Sequence, residues 1–246
     1  IGATTAIFSV VNAVLIKPLP YPDADALVRI VHVIGGIEQQ FFSDAIFLTY
    51  VKNTQAFEEL GVWSPGSTAT ITGQGDPEEV PVLAASRGVL AALGVQPDLG
   101  RSFSAEEHAP GGPDTVLLTA GYWQRTLGGD RGVLGRTLTV NGRPHEIIGV
   151  MPPDFRFSRE FEIVLPLRID PAAPGSLFSR VGVARLKPGV SLEQANADAA
   201  RILDIWFQRP GGNPAVRARW RPALMPLKQD VVGDAGTALW VLLGGI

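Results

Sequence analysis

Cysteine is absent from all 246 residues, which removes disulfide staples, thiolate nucleophiles and zinc–cysteine sites together. Histidine occurs three times, at His32, His108 and His145, in separate segments and without a spacing such as H-x-x-x-H. A histidine metal centre is therefore not expected. Basic runs are missing as well: 21 Lys and Arg stand against 24 Asp and Glu, a net charge of −3, so no footprint for a nucleic-acid backbone is present. There is no G-x-x-x-x-G-K-[ST] loop, no strand followed by G-x-G-x-x-G and a helix, no G-x-S-x-G elbow and no EF-hand loop. ATP, dinucleotide, serine-hydrolase and calcium chemistry all lack their usual scaffolds.

What is abundant points to turns and to a core. Twenty Pro and 28 Gly suit a β-rich or mixed fold better than a helical bundle, and 246 residues suffice for one large or two modest domains. The ends are apolar: IGATTAIFSVVNAVLI (1–16) and TALWVLLGGI (237–246) carry no charge. A full membrane helix needs about 20 apolar residues, and neither end reaches that alone. They read as two truncated spans, the first leaving the bilayer near Lys17–Tyr21 and the second entering near Ala235. Tyr21 and Trp240 are residue types found at membrane interfaces. A signal peptide fits poorly, since a basic n-region is missing. The alternative is a pair of amphipathic or buried terminal helices.

Between the ends, LVRIVHV (27–33) reads as a strand. In SDAIFLTYVKNTQAFEELG the apolar positions Ile46, Phe47, Tyr50, Val51, Phe57 and Leu60 predict one helix, capped by Ser43 or Asp44 and closed by Gly61. STATITG (67–73) returns to strand composition. A second strand–helix unit lies near the other end: RVGVARL (180–186), then a helix from SLEQANADAARILDIWF. Ser191 and Gln194 form a capping box there, with Val190 and Ala195 placed as a hydrophobic staple. Its buried face is Leu192, Ala195, Ala199, Ile202, Leu203 and Trp206. ARWRPALMPL (218–227) reads as an edge strand, because Pro222 and Pro226 cannot donate ladder hydrogen bonds.

The stretch 78–168 is punctuated differently. PVLAAS runs as a strand into a short helix, TVLLT is a strand, and AGYWQRTLGG is a helix closed by glycine. Asn141-Gly142 supplies the two positive φ values of a type I′ hairpin turn, pairing Val140 with Arg143 and Thr139 with Pro144. LGVQPDLGRSF (93–103) and LGGDRGVLGRTL (127–138) echo each other as two helix C-caps leading into strands. The expected fold class is α+β: two strand–helix–strand units forming one subdomain, with a β-rich lobe inserted between them.

Candidate chemistry is thin. Ser104, Glu106, Glu107, His108 and Asp114 mix hydroxyl, carboxylate and imidazole, but SAEEHAPGGPD reads as a solvated loop without apolar walls. Glu58–Glu59, Glu78–Glu79 and Glu106–Glu107 are adjacent rather than facing, as on a solvated surface. Trp123 and Trp206 read as core residues. No catalytic, cofactor-binding or metal-binding residue is assigned, and no cofactor is expected.

In order, ATTAIFSVVNAVLIKPLPYPDADALVRI, ALGVQPDLGRSFSAEE, VLLTAGYWQRTLGGDRGVLGRTLTVNGRPHEIIGVMPPDF, SRVGVARLKPGVSLEQANADAARI and VVGDAGTALWVLLGGI resemble the MacB-like periplasmic core domain. That domain occurs in ABC-transporter permeases of the MacB/FtsX class, and the likeness is strongest to the acidobacterial-type orphan permeases. The resemblance implies the end of a first membrane helix over 1–20 and a porter-like subdomain from 21–77 and 169–232. The inserted lobe would be 78–168, and a second membrane helix would start over 233–246. It further implies a non-catalytic extracytoplasmic domain on the cytoplasmic (inner) membrane that couples helix motion to export or mechanotransmission. The ATPase would be a cytoplasmic subunit reached through the membrane part. A periplasmic accessory protein is a candidate partner, and the resemblance leaves room for a homodimer of the full permease. The competing readings are a membrane-tethered solute-binding or sensor domain and a membrane-anchored hydrolase.

Overall fold

The computed structural model describes residues 19–73, 75–175 and 177–229. The apolar stretches 1–16 and 235–246, and with them the expected membrane helices, lie outside the described residues. Among the described residues, no helix is long and apolar enough to cross a membrane.

Four short strands come first: β1 (Leu27–Ile30), β2 (His32–Ile34), β3 (Ile37–Gln39) and β4 (Phe41–Phe42). Helix α1 (Asp44–Asn53) follows, and then the long strand β5 (Phe57–Thr72). The middle of the chain gives β6 (Glu78–Ala85), α2 (Arg87–Leu93), β7 (Leu99–Gly100), β8 (Thr115–Leu118) and α3 (Ala120–Leu127). The hairpin β9 (Thr137–Val140) and β10 (Arg143–Val150) leads to β11 (Ile163–Pro166) and β12 (Arg180–Leu186). Helices α4 (Leu192–Gln208) and α5 (Pro214–Arg217) precede the short strands β13 (Trp220–Pro222) and β14 (Met225–Pro226).

One 11-stranded sheet runs β14-β1-β12-β5-β6-β11-β8-β10-β7, with β4 added on β12 and β9 bridging β10 to β5. Most pairs are antiparallel; β6 with β11 and β8 with β10 are parallel. A small sheet, β13-β2-β3, stands apart. The two strand–helix units from opposite ends of the sequence are neighbours, because β12 pairs with both β1 and β5.

Side-chain alternation divides this part of the sheet cleanly. Val28, Ile30, Val62, Ala184 and Leu186 point to the face covered by α1 and α4, joining Ile46, Tyr50, Ala199, Ile202 and Leu203. Leu27, Trp63, Val181 and Val183 point to the opposite face, covered by α2 and by Phe155 and Phe157. A third cluster fills the far end, where Tyr122 of α3 packs among Val116, Leu118, Leu138, Val140 and Ile147.

Local signals produce the expected ends in several places. Ser191 Oγ accepts from Gln194 N at 3.1 Å and Gln194 Oε1 accepts from Ser191 N at 2.8 Å, closing the capping box. The hairpin turn has Asn141 at φ 51° and Gly142 at φ 75°, with Val140 opposite Arg143 and Thr139 opposite Pro144. Gly94 and Gly128 end α2 and α3 in left-handed conformations. Pro222 and Pro226 fall on edge strands, one in each sheet.

Several expectations are corrected. The helix predicted to reach Gly61 stops at Asn53, and Phe57, Leu60 and Gly61 belong to β5. The cause is distant in sequence: the Asp198 carboxylate accepts from Gln55 N at 2.8 Å and Ala56 N at 3.0 Å. Those amides are then no longer available to continue the helix. The strand expected over 27–33 breaks at Val31, because β1 and β2 join different sheets. The expected edge strand over 218–227 is likewise two short strands in two sheets. Trp206 and Trp123 are only partly buried. Glu107, read as solvated, is buried.

Helix α2 lies directly on β5. A Cβ on Gly88 would meet Leu60 O at 1.9 Å, and one on Gly61 would meet Val89 N at 2.2 Å. Ser86 locks the contact, its amide donating to Val62 O at 2.8 Å and its Oγ accepting from Val62 N at 2.9 Å. Because backbone rather than a flexible side chain is in the way, Gly88→Ala is expected to destabilise the fold by about 3 kcal/mol, at the upper end of overpacking costs. The urea unfolding midpoint measures this, and a change below about 1 kcal/mol would contradict the close approach.

Candidate functional site

The two ends of the described chain meet. Leu19, Tyr21 and Leu227 join one hydrophobic cluster and line one cavity of about 600 Å³. On the exit side, β14 pairs with β1, setting Pro226 opposite Val28 and Met225 opposite Arg29. The incoming segment is held by Arg185 of β12, whose Nη2 donates to Pro22 O at 2.8 Å and Nη1 to Asp23 O at 3.2 Å. The same guanidinium donates through Nε to Ala92 O of α2 at 2.8 Å. Tyr21 donates its hydroxyl proton to Arg156 O. Chain entry and chain exit are thus fixed side by side by a sheet pairing, a shared cluster and one arginine.

Elsewhere, α1 and α4 leave a trough of about 880 Å³ between them. Leu48 and Lys52 of α1, Ile205 and Trp206 of α4, and Phe178 and Trp220 line it. Arg209 stacks its guanidinium over the Trp206 ring at 3.3 Å from the centroid. This is why Trp206, at helical spacing with the core, is not core: it forms a wall of the trough.

The mixed cluster of hydroxyl, carboxylate and imidazole is built as a structural knot. Arg101 grips Glu107 with two hydrogen bonds of 2.9 Å, and Ser104 N donates to the same carboxylate at 2.6 Å. Burial raises the Glu107 carboxyl, but the hydrogen bonds from Arg101 and from the Ser104 amide outweigh it and hold it at about 2. Ser104 Oγ accepts from Glu107 N. Asp114 is ion-paired with Arg168 and Arg143, each at 2.8 Å. Arg168 also donates to Glu107 O at 3.0 Å, so it ties both ends of the loop together. His108 stands edge-on to Phe103, and its pKa is lowered by burial. The structure thus brings Ser104 to Glu107, but Glu107 is committed to Arg101.

His145 is partly buried, with Nδ1 3.0 Å from Arg143 O, whereas His32 is fully buried. Among the described residues, no group of three or more His, Asp or Glu is placed to hold a metal ion.

These surfaces sit on a fold with relatives. The family profile of the MacB-like periplasmic core domain matches residues 1–202. The chain belongs to that family. Three solved structures share the fold of this periplasmic core domain. A permease-protein domain from Porphyromonas gingivalis aligns with a TM-score of 0.62 and 19% identity, over 84% of this chain and 92% of that one. The periplasmic region of MacB from Actinobacillus actinomycetemcomitans aligns at 0.58 and 12%, over 92% and 97%. The extracellular domain of the noncanonic ABC-type transporter YknZ from Gram-positive bacteria aligns at 0.54 and 13%, over 80% and 99%. At these identities the likeness establishes the fold alone. No curated protein sequence matches.

One buried group gives this periplasmic core domain a pH signature. His32 is enclosed by Phe42, Tyr50 and Trp220, with Nε2 2.9 Å from the Tyr50 hydroxyl. Burial pushes its pKa down from 6.5 to about 4, so the folded state holds the ring neutral. Between these values the unfolded chain binds a proton that the folded chain refuses, and stability falls as pH drops from about 6.5 to 4. The full loss is on the order of 3 kcal/mol. Thermal unfolding across this range should show a slope that His32→Gln reduces, the remainder belonging to His108 and to the lowered carboxyls of Glu107, Asp114 and Asp198; an unchanged slope in the variant would refute the assignment.

Proposed function

We propose that this chain is the extracytoplasmic domain of an ABC-transporter permease subunit in the cytoplasmic membrane. In this reading it carries no chemistry of its own and couples the motion of flanking membrane helices to a substrate or accessory protein. The observation that carries the reading is the junction of Leu19, Tyr21 and Leu227 on one face, beside the apolar sequences 1–16 and 235–246. A domain inserted between two consecutive membrane helices needs both its ends there. The family supports the same placement. Residues 21–77 and 169–232 form the porter-like part and 78–168 the inserted lobe, with β5 pairing to strands of both. The tethered-sensor alternative calls for a deep pocket with a few convergent polar groups between the lobes, whereas the trough between α1 and α4 is open and lies between two helices.

Affinity purification of the full-length permease from detergent-solubilised membranes should recover a P-loop ATPase subunit. Recovery of the protein alone, with no ATPase under conditions that preserve known transporter complexes, would overturn the reading. A second measurement uses the absence of cysteine: paired spin labels placed on Glu193 and on Gly66 by substitution to Cys should report a distance change between nucleotide-free and ATP-bound transporter.

A further inference from the structure

The cavity shared by the two chain ends has an unusual combination of walls. Trp63 and Phe157, both largely buried, stack edge-to-face at 4.7 Å and form an apolar floor with Leu19 and Leu227. Around that floor stand three arginines, Arg29, Arg156 and Arg159, against a single carboxylate, Glu160. Arg29 is buried on β1, its guanidinium 4.9 Å from the Trp63 ring centroid and bonded to Gly182 O and Gln40 Oε1. Arg156 donates through Nη1 to Pro153 O and Phe155 O, both at 2.9 Å; these carbonyls orient the guanidinium without neutralising it. Arg159 is exposed, and neither it nor Arg156 is ion-paired among the described residues. Ser158, between them, takes a left-handed φ of 60°.

Among the described residues several arginines are paired with carboxylates, as Arg101 is with Glu107 and Arg168 with Asp114, and others are not; what sets Arg156 and Arg159 apart is that both line one cavity with an aromatic floor. A pair of unneutralised guanidiniums beside an aromatic floor is instead suited to an anion attached to carbon. Guanidinium matches phosphate oxygens in bidentate geometry, and the floor needs an apolar partner. We propose that this cavity receives the headgroup of an anionic phospholipid. Arg156 and Arg159 lie on its phosphate, and Tyr21, Trp63 and Phe157 lie against its glycerol and first acyl carbons. The inference rests on the membrane-proximal placement of the chain ends argued above. A free phosphate ion offers nothing to Trp63, Phe157, Leu19 and Leu227, so the lipid is the source the walls favour.

The test uses the full-length permease reconstituted into vesicles of phosphatidylcholine with and without phosphatidylglycerol, each carrying a trace of photoreactive phosphatidylglycerol or photoreactive phosphatidylcholine. The expected result is labelling of residues 156–160 by the phosphatidylglycerol probe, several-fold above the phosphatidylcholine probe and weakening with added salt. Arg159→Gln, which removes an exposed side chain without a folded-state contact, should reduce the labelling. Arg156→Gln with Arg159→Gln should bring it to the phosphatidylcholine level, and the double Lys variant should restore part of it. Equal labelling by both probes, or undiminished labelling in the double Gln variant, overturns the proposal. Suppression by inorganic phosphate well beyond that of sodium chloride at equal ionic strength shows a free-anion site and overturns the lipid assignment. If the full-length permease floats with the vesicles but is not labelled at 156–160, this proposal fails alone; if it does not float at all, the membrane placement fails with it.

Discussion

The carboxylate of Asp198 decides how this chain divides into elements. It sits in the middle of α4, on the buried face, and reaches the junction between α1 and β5. One oxygen accepts from Thr54 Oγ1, Gln55 N and Ala56 N, and the other pairs with Arg201. Arg201 in turn donates to Asn53 O, the last carbonyl of α1. A single ion pair one turn apart on one helix therefore satisfies both the end of another helix and the start of the longest strand. Burial alone would raise the Asp198 carboxyl, but the bonds from Gln55, Arg201 and Ala56 lower it, so it remains charged and keeps accepting. Without that capture the apolar spacing of 46–60 favours a continuing helix, and β5 would lose its first residues.

Strand β5 is where the consequence is felt. Its first half pairs with β12, its second half with β6, and its last two residues with β9. Among the described residues it is therefore the strand that joins β12, the middle of the sheet and the hairpin. The glycine contact at Gly61 and Gly88 adds a helix to the same strand at backbone distance, leaving no flexible side-chain layer between them. Close packing of this kind transmits displacement rather than absorbing it.

What could be read from the sequence follows from the range of each interaction. The Asn141-Gly142 turn, the Ser191–Gln194 box and the Gly94 and Gly128 caps all have their partners within a few residues, and each occurs where its local chemistry put it. The end of α1 was not legible, because its cap is supplied from 142 residues away. Glu107 differs, since the partners of its carboxylate, Arg101 and the Ser104 amide, lie within six residues but no local pattern signals that the loop folds back to bury that carboxylate. Its acidic neighbours suggest a wet loop, while Arg101 bonds its carboxylate and Arg168, much further along the chain, fixes its carbonyl. Trp206 shows the converse, since helical spacing identifies the side of α4 it lies on but not that the layer above is missing there. The arginines around the shared cavity had no signal at all: Arg29 lies within a strand, and Arg156 and Arg159 follow a proline pair in a loop.

The incoming and outgoing segments do not end on the sheet in the same way. The outgoing segment pairs through β14 with β1, an edge interaction limited to two residue pairs. The incoming segment is gripped by Arg185, which stands on β12 and also holds the C-terminal turn of α2. Pro22 and Asp23 are thereby bonded to the same arginine that holds α2, and α2 lies on β5 with Gly88 against Leu60 O. Because β12 and β5 carry α1 and α4 on their other face, one continuous set of contacts joins the incoming segment to both walls of the trough. The incoming end is tied in by one arginine and one glycine contact, whereas the outgoing end is attached by an edge pairing of two residue pairs.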